Sequence, residues 1–205
     1  MNLVRDIISI ENFIIEKKTE VDGETVYIRP IYLELIYLYP DITNRLAGEI
    51  AEQIALLKPE LLYAIEASIL PLAMLVSHFL GIPLSIIRKP RNFAHEADEP
   101  ELFINDILSM KRSILLDDAI WSGFTMNHVF QLFKRRNLDY PQCYFIFDFF
   151  DFNNGGVKLD MEFSPLLQNR VSWMTYDRLL KHALHHEKIT REAYDNTVKL
   201  FRNIS

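Results

Sequence analysis

The sequence predicts an α/β protein of three layers, a mostly parallel central sheet flanked by helices. Three observations carry that prediction. Short apolar runs at Leu61 to Ile65, Leu84 to Ile87, Ser113 to Leu116 and Cys143 to Phe147 have the length and composition of strands covered on both faces. Segments of helical periodicity separate them. Strands alternating with helices are joined by right-handed crossovers, which makes neighbouring strands parallel.

Leu3 to Ile15 carries apolar residues at helical spacing, and the polar run Glu16 to Glu24 around Gly23 reads as a turn. Val26 to Leu33 is rich in β-branched and aromatic residues, and Pro30 confines any strand there to an edge. Pro40 and Asp41 open a helix, with Asp41 as its capping residue and Leu46, Ile50, Ile54 and Leu57 along one face. Lys58-Pro59 ends it ahead of the strand Leu61 to Ile65. A helix over Leu70 to Leu80 stops at Gly81, and Pro83 starts the strand Leu84 to Ile87.

Arg88 to Lys111 is long and polar, with a short helix near Glu101 to Leu108; segments of that length are often functional. Ser113 to Leu116 is the next strand, Phe124 to Arg136 a helix, and Cys143 to Phe147 a strand. Val171 to Trp173 forms a short last strand. Thr175 and Thr190 cap helices over Tyr176 to His186 and Arg191 to Arg202.

The 205 residues, 49% of them apolar, fit one domain with a sizeable core. No linker or composition break divides them, so 1–205 reads as a single domain. A net charge of −6 with scattered basic residues argues against nucleic acid as the main partner, although Arg88-Lys89-Pro90-Arg91 and Lys134-Arg135-Arg136 leave room for a small anion. One cysteine, Cys143, excludes an intrachain disulfide and a four-cysteine zinc site. The N-terminus has no signal-peptide pattern and no apolar run reaches membrane-spanning length, so a soluble cytoplasmic protein is expected.

In parallel sheets ligands bind beyond the carboxyl ends of the strands. That rule selects the loops Glu66 to Leu70, Arg88 to Arg91, Asp117 to Thr125 and Asp148 to Gly156. The third is the most informative. Asp117 and Asp118 leave a buried strand, and two unpaired carboxylates cannot both enter an apolar core, so they are expected to face a polar ligand or water. Ser122-Gly123-Phe124-Thr125 then turns into a helix whose first N–H groups point outward with the positive end of the dipole, a cradle for phosphate. Gly123 supplies a backbone conformation other residues avoid, and the Ser122 and Thr125 hydroxyls can donate to phosphate oxygens. Carboxylates just ahead of a phosphate cradle suit a sugar phosphate such as ribose 5-phosphate.

Ile114 to Thr125, four apolar strand residues, two acids, two apolar residues and a serine-glycine-x-threonine loop, resembles the fingerprint of the type I phosphoribosyltransferases. Trp121 and Phe124 stand where small or hydroxylated residues are usual. Further stretches resemble the orotate subfamily: Tyr27 to Pro40, which would be an N-terminal hood-like segment within 1–40; Pro71-Leu72-Ala73 and Leu80-Gly81-Ile82-Pro83; Arg88-Lys89; and Ser172 to Thr175.

The resemblance implies displacement of pyrophosphate from phosphoribosyl pyrophosphate by a base nitrogen, with magnesium carried on the phosphoribosyl pyrophosphate rather than bound directly by the protein. It makes Asp117, Asp118 and Lys89 catalytic. Trp121, Ser122, Gly123, Phe124 and Thr125 would grip the 5-phosphate, and Ala67, Ser68, Arg88, Lys89 and Arg91 the pyrophosphate. A homodimer sharing the loop that begins at Arg88 is also implied. The loop Glu66-Ala67-Ser68-Ile69 lacks the family's glycine, and Phe149 replaces the arginine that would meet the carboxylate of orotate. The expected acceptor is therefore a less charged base, in a pocket lined by Tyr32, Phe149 and Phe150. The alternatives are a regulatory protein that binds nucleoside monophosphates and an assembly scaffold on the same fold.

Other features take simpler readings. His182, His185 and His186 lie one turn apart and read as a solvated helix face. Asp148, Asp151 and Asn153-Asn154 lack the glycine and final acid of a calcium loop. No nucleophile-elbow sequence supports serine-histidine-acid catalysis.

Overall fold

The structure is a computed structural model that describes residues 2–14, 17–21, 24–28, 32–88, 112–121, 123–150 and 160–203, with backbone alone at 17–21, 24–28 and 200–203. Five strands form one sheet: β3 (Leu61–Ile65), β4 (Leu84–Ile87), β5 (Ser113–Ile120), β6 (Gln142–Asp148) and β7 (Val171–Thr175), in the order β4-β3-β5-β6-β7. Every pairing within it is parallel. The three-layer α/β class holds, and the sheet expected to be mostly parallel is wholly so.

Alternation along the strands assigns the two faces. Leu62, Ala64, Ile114, Leu116, Tyr144 and Ile146 point to one side, where α1 (Leu3–Ile8), α2 (Pro40–Ala55), α3 (Leu70–Leu80) and α6 (Tyr176–His185) bury their apolar stripes. Leu61, Tyr63, Ile65, Leu115, Cys143 and Phe145 point to the other, beneath α4 (Phe124–Arg135) and α5 (Ser164–Gln168). Each fully buried leucine, isoleucine or phenylalanine contributes about 1.5–3 kcal/mol. Two polar contacts fasten α2 to the far strands: Trp173 Nε1 donates to Glu49 Oε2 at 3.1 Å, and Tyr144 Oη donates to Gln53 Oε1 at 2.7 Å.

α3 matches its expected bounds, and Gly81 ends it in the left-handed region at φ 65°. Thr175 accepts from the Arg178 amide and Thr190 from the Ala193 amide, so both caps form; the second opens α7 (Arg191–Asn203).

Five expectations are corrected. The first helix ends at Ile8 rather than Ile15, because Ser9 to Phe13 form turns closed by backbone bonds to Arg5, Asp6, Ile7 and Ile10. The polar run read as a turn contains strand β1 (Lys17–Val21), antiparallel to β2 (Glu24–Ile28), and Leu33–Leu38 is a 3₁₀ helix rather than the end of a strand. Asp41 lies inside the first turn of α2, where its charge suits the dipole, while the capping position is Tyr39. β5 runs on to Ile120, so Asp117 and Asp118 belong to the strand and not to the loop after it. The helix expected near Glu101 to Leu108 lies outside the described residues.

Candidate sugar-phosphate site at the sheet's carboxyl end

The strand order reverses between β3 and β5: the chain leaves β3 toward β4 on one side and continues from β5 toward β6 on the other. Crossovers leaving in opposite directions open a crevice beyond the carboxyl ends of those two strands, the usual place for a ligand in such sheets. Residues from both sides meet there. Ser68, after β3, donates its hydroxyl to Asp118 Oδ2 on β5.

β6 extends the ladder through the acids, with Asp117 opposite Phe145 and Ile120 opposite Asp148. The two carboxylates consequently differ. Asp117 is 2% exposed and accepts from the Asp118 amide at 3.0 Å. Asp118 is half-buried at the crevice, and its Oδ1 accepts from the Ala119 amide at 2.7 Å. The expectation that both acids face ligand or water is therefore corrected: Asp118 is half-buried at the crevice, whereas Asp117 is buried inside the protein.

Gly123 has φ 78° and ψ 0°, a left-handed conformation that places it as the capping residue of α4. No side chain caps that end, and Thr125 lies half-buried in the first turn. A helix start of this kind turns its amides outward and favours an anion. Trp121 stands just before it, exposed, with its ring 5.3 Å from that of Phe149. The Phe124 ring packs against His128 at 4.6 Å, on its own helix.

The other expected residues fall in three groups. Ala67 is exposed and Ser68 half-buried in the β3–α3 connection, whose Glu66–Ala67 peptide is cis. Arg88 is exposed at the end of β4. Tyr32 is exposed ahead of the 3₁₀ helix, whereas Phe149 is buried between Trp121 and Tyr176, and Phe150 lies half-buried under Arg170 with the guanidinium 4.9 Å from its ring centroid. Lys89, Arg91 and Ser122 lie outside the described residues.

Two residues of this end escaped the sequence reading. Tyr37 donates its hydroxyl to the Ser68 carbonyl at 2.5 Å; burial first, then the charges of Asp118 and Glu34, push its pKa up, so it stays a neutral donor. Arg170 donates through Nε to Asp148 Oδ2 at 2.7 Å, while Asp148 Oδ1 accepts from the Phe150 amide at 2.9 Å. Both contacts span long stretches of chain and leave no local pattern. The histidines behave differently from these: burial, then Arg178 and the neighbouring His186 and His185, lower the pKa of His182. No group of three or more histidine, cysteine or acidic side chains is arranged to hold a metal ion among the described residues. No described helix is long and apolar enough to cross a membrane.

No family model matches the sequence. Over 113 residues, half of this chain, it is 29% identical to a hypoxanthine/guanine phosphoribosyltransferase of Methanohalobium evestigatum; the match spans only 58% of that relative's length. Among solved structures, UMP synthase of Leishmania donovani aligns with a TM-score of 0.66 at 16% identity, over 98% of this chain and 41% of that one. Adenine phosphoribosyltransferase of Leishmania donovani aligns with a TM-score of 0.60 at 13% identity, over 94% and 84% of the two chains. Orotate phosphoribosyltransferase of Aeropyrum pernix gives 0.59 at 15%, over 87% and 96%. The resemblance read from Ile114 to Thr125 holds: the chain is built on the type I phosphoribosyltransferase fold and shares sequence with one such protein.

Proposed function

We propose that, on this type I phosphoribosyltransferase fold, the chain binds phosphoribosyl pyrophosphate or a nucleoside monophosphate and transfers phosphoribose to a nucleobase-like acceptor other than orotate. The observation that carries the reading is the meeting of Ser68 and Asp118 across the switch point, directly ahead of the glycine-capped start of α4. In that reaction a base nitrogen forms a bond to the anomeric carbon as the bond to the pyrophosphate oxygen breaks. The sugar passes through an oxocarbenium-like state, and pyrophosphate leaves. Positioning and charge neutralisation supply most of the rate.

The roles are those the resemblance implies, supported where the residues are described by their burial and bonds. Asp118, half-buried at the crevice, takes the ribose hydroxyls, and Asp117 behind it fixes the Asp118 backbone and adds negative charge near the cationic sugar. Residues Trp121 to Thr125 hold the 5-phosphate through the helix start. Ala67, Ser68, Arg88, Lys89 and Arg91 are assigned to the pyrophosphate, a role the resemblance extends to a second copy of the chain through the loop that begins at Arg88. Magnesium prefers oxygen ligands and keeps several waters, binding through one or two carboxylates plus substrate phosphates. The acids fit that mode, with Asp118 the more accessible partner for an ion carried on the pyrophosphate. Apolar side chains at Phe149 and Phe150 support an acceptor without a carboxylate.

A second reading, a binding or regulatory protein without turnover, draws on the β3–α3 loop. Glu66 is half-buried there, Ile69 is fully buried, and the Ser68 hydroxyl is already engaged by Asp118. Calorimetry with phosphoribosyl pyrophosphate and with nucleoside monophosphates, each with magnesium, separates the two. Binding of both classes is expected. Monophosphate binding without phosphoribosyl pyrophosphate binding would replace the enzyme by the regulator, and binding of neither would leave only a scaffold.

A further inference from the structure

We infer that the indole of Trp121 is the stacking surface for the base of a purine nucleoside monophosphate, a specificity-determining contact that rests on the site proposed above. Trp121 follows β5 directly, three residues after Asp118 and two before Gly123. It therefore stands beside both the sugar-binding acid and the phosphate cradle, where the base of a nucleoside monophosphate lies one ribose away from its phosphate. The ring is 43% exposed.

It is also backed. Its ring meets Phe149 at 5.3 Å, and Phe149 meets Tyr176 at 4.5 Å, both tilted by just under 50°. The Phe149 amide donates to the Ile120 carbonyl at 3.0 Å, which pins the ends of β5 and β6 together beneath the rings. Phe149 is 6% exposed and Tyr176 2%, so within this column only Trp121 turns aromatic surface outward. The exposed ring of Phe124 is used differently, against His128 of its own helix.

A nucleobase offers a flat π-face, and stacking on an aromatic side chain contributes about 1–3 kcal/mol per base. A two-ring purine covers more of an indole than a pyrimidine does. A base bearing a carboxylate would need a cation, and Arg170, directly ahead of β7, is engaged by Asp148 at the end of β6. Ring area favours the purine.

The chain has two tryptophans, and the second, Trp173, is buried with its Nε1 bonded to Glu49. Emission changes on ligand binding therefore report Trp121. The full chain is titrated with inosine 5′-monophosphate, uridine 5′-monophosphate and ribose 5-phosphate, followed by fluorescence and calorimetry. Inosine monophosphate is expected to quench the emission and to bind more tightly than uridine monophosphate, with ribose 5-phosphate weakest. Trp121→Ala is expected to lower the ratio of inosine monophosphate to ribose 5-phosphate affinity by about tenfold or more. Trp121→Phe keeps a ring against Phe149; it should retain most of that ratio and abolish the quench, and it carries the test if the alanine variant fails to fold. An unchanged ratio in Trp121→Ala, including equal weakening of both ligands, or a quench persisting in Trp121→Phe, overturns the assignment while leaving the sugar-phosphate site standing. Failure of the unaltered chain to bind any of the three removes the site itself.

Discussion

Two strand-to-helix junctions lie side by side at the carboxyl end of the sheet, and they spend their backbone differently. At the β5–α4 junction a left-handed glycine opens the helix, no side chain caps it, and an exposed tryptophan precedes it. At the β3–α3 junction Ile69 occupies the capping position in right-handed geometry with its side chain wholly buried. Its polar groups are taken up from within: Tyr37 donates to the Ser68 carbonyl, Ser68 donates to Asp118, and the Glu66 amide donates to the Ile87 carbonyl. The same topology thus yields an open junction, whose helix start has no side-chain cap, and a closed one, whose loop is bonded from within. What separates them is a single glycine and the partners that surround the loop.

The sharpest way to break this contrast is to remove the charge at the open junction. Asp118→Asn removes the charge from hydrogen bonds of about 1.5–3 kcal/mol at the half-buried acid, so ribose 5-phosphate affinity should fall about tenfold or more in calorimetry while circular dichroism stays native. Unchanged affinity would move the sugar site elsewhere. Next in size is Gly123→Ala, which forces a Cβ into left-handed backbone at about 1–2 kcal/mol and should weaken phosphate binding and lower the urea midpoint together. The matched change across the sheet, Ala67→Gly, should cost less than about 1 kcal/mol, through unfolded-chain entropy alone. If the two substitutions cost the same, the glycine does not distinguish the junctions.

Tyr37→Phe removes one hydrogen bond from the closed junction and should cost about 0.5–1.5 kcal/mol of stability. If stability is unchanged, the loop is held by Ser68 and the buried Ile69 rather than by the N-terminal segment. The last test concerns pH and is read as a slope. Burial, then the charge of Asp117, push the Cys143 thiol from 9.0 up to about 12. A pKa raised by folding means the full contribution is present below the unfolded value and is lost as pH rises through the folded one. Between pH 9 and 12 stability should therefore decline by up to about 1.4 kcal/mol per unit for this group, and Cys143→Ala should flatten that slope in urea melts at stepped pH.

How much of this was legible depends on how local the signal is. β3, α3 and β4 could be read within a residue because continuous apolar runs and a terminating Gly81 are written in adjacent positions. α5 spans five residues, too few to display a period. β1, Lys17 to Val21, has one apolar residue and exists through its pairing with β2. β5 continues through two aspartates, residues that disfavour strands, because six register pairs with β6 carry it to Ile120. The glycine-opened start of α4 was legible since the acids, glycine and threonine lie in one short stretch of sequence. Tyr37 and Arg170 were not, since their partners Ser68 and Asp148 lie 31 and 22 residues away.

The fastening of α2 to the far edge of the sheet bears on how the chain is made. Glu49 waits for Trp173, 124 residues later, and Gln53 waits for Tyr144, 91 residues later. A ribosome adding about 5–20 residues per second needs roughly 6–25 s to cover the longer interval. Through that interval the inner stripe of α2 from Leu46 to Ile54 has no completed sheet to cover it. The order of synthesis therefore leaves the apolar stripe of this helix, like that of α1 before it, waiting for the strands that cover it, a surface a nascent-chain chaperone would meet early.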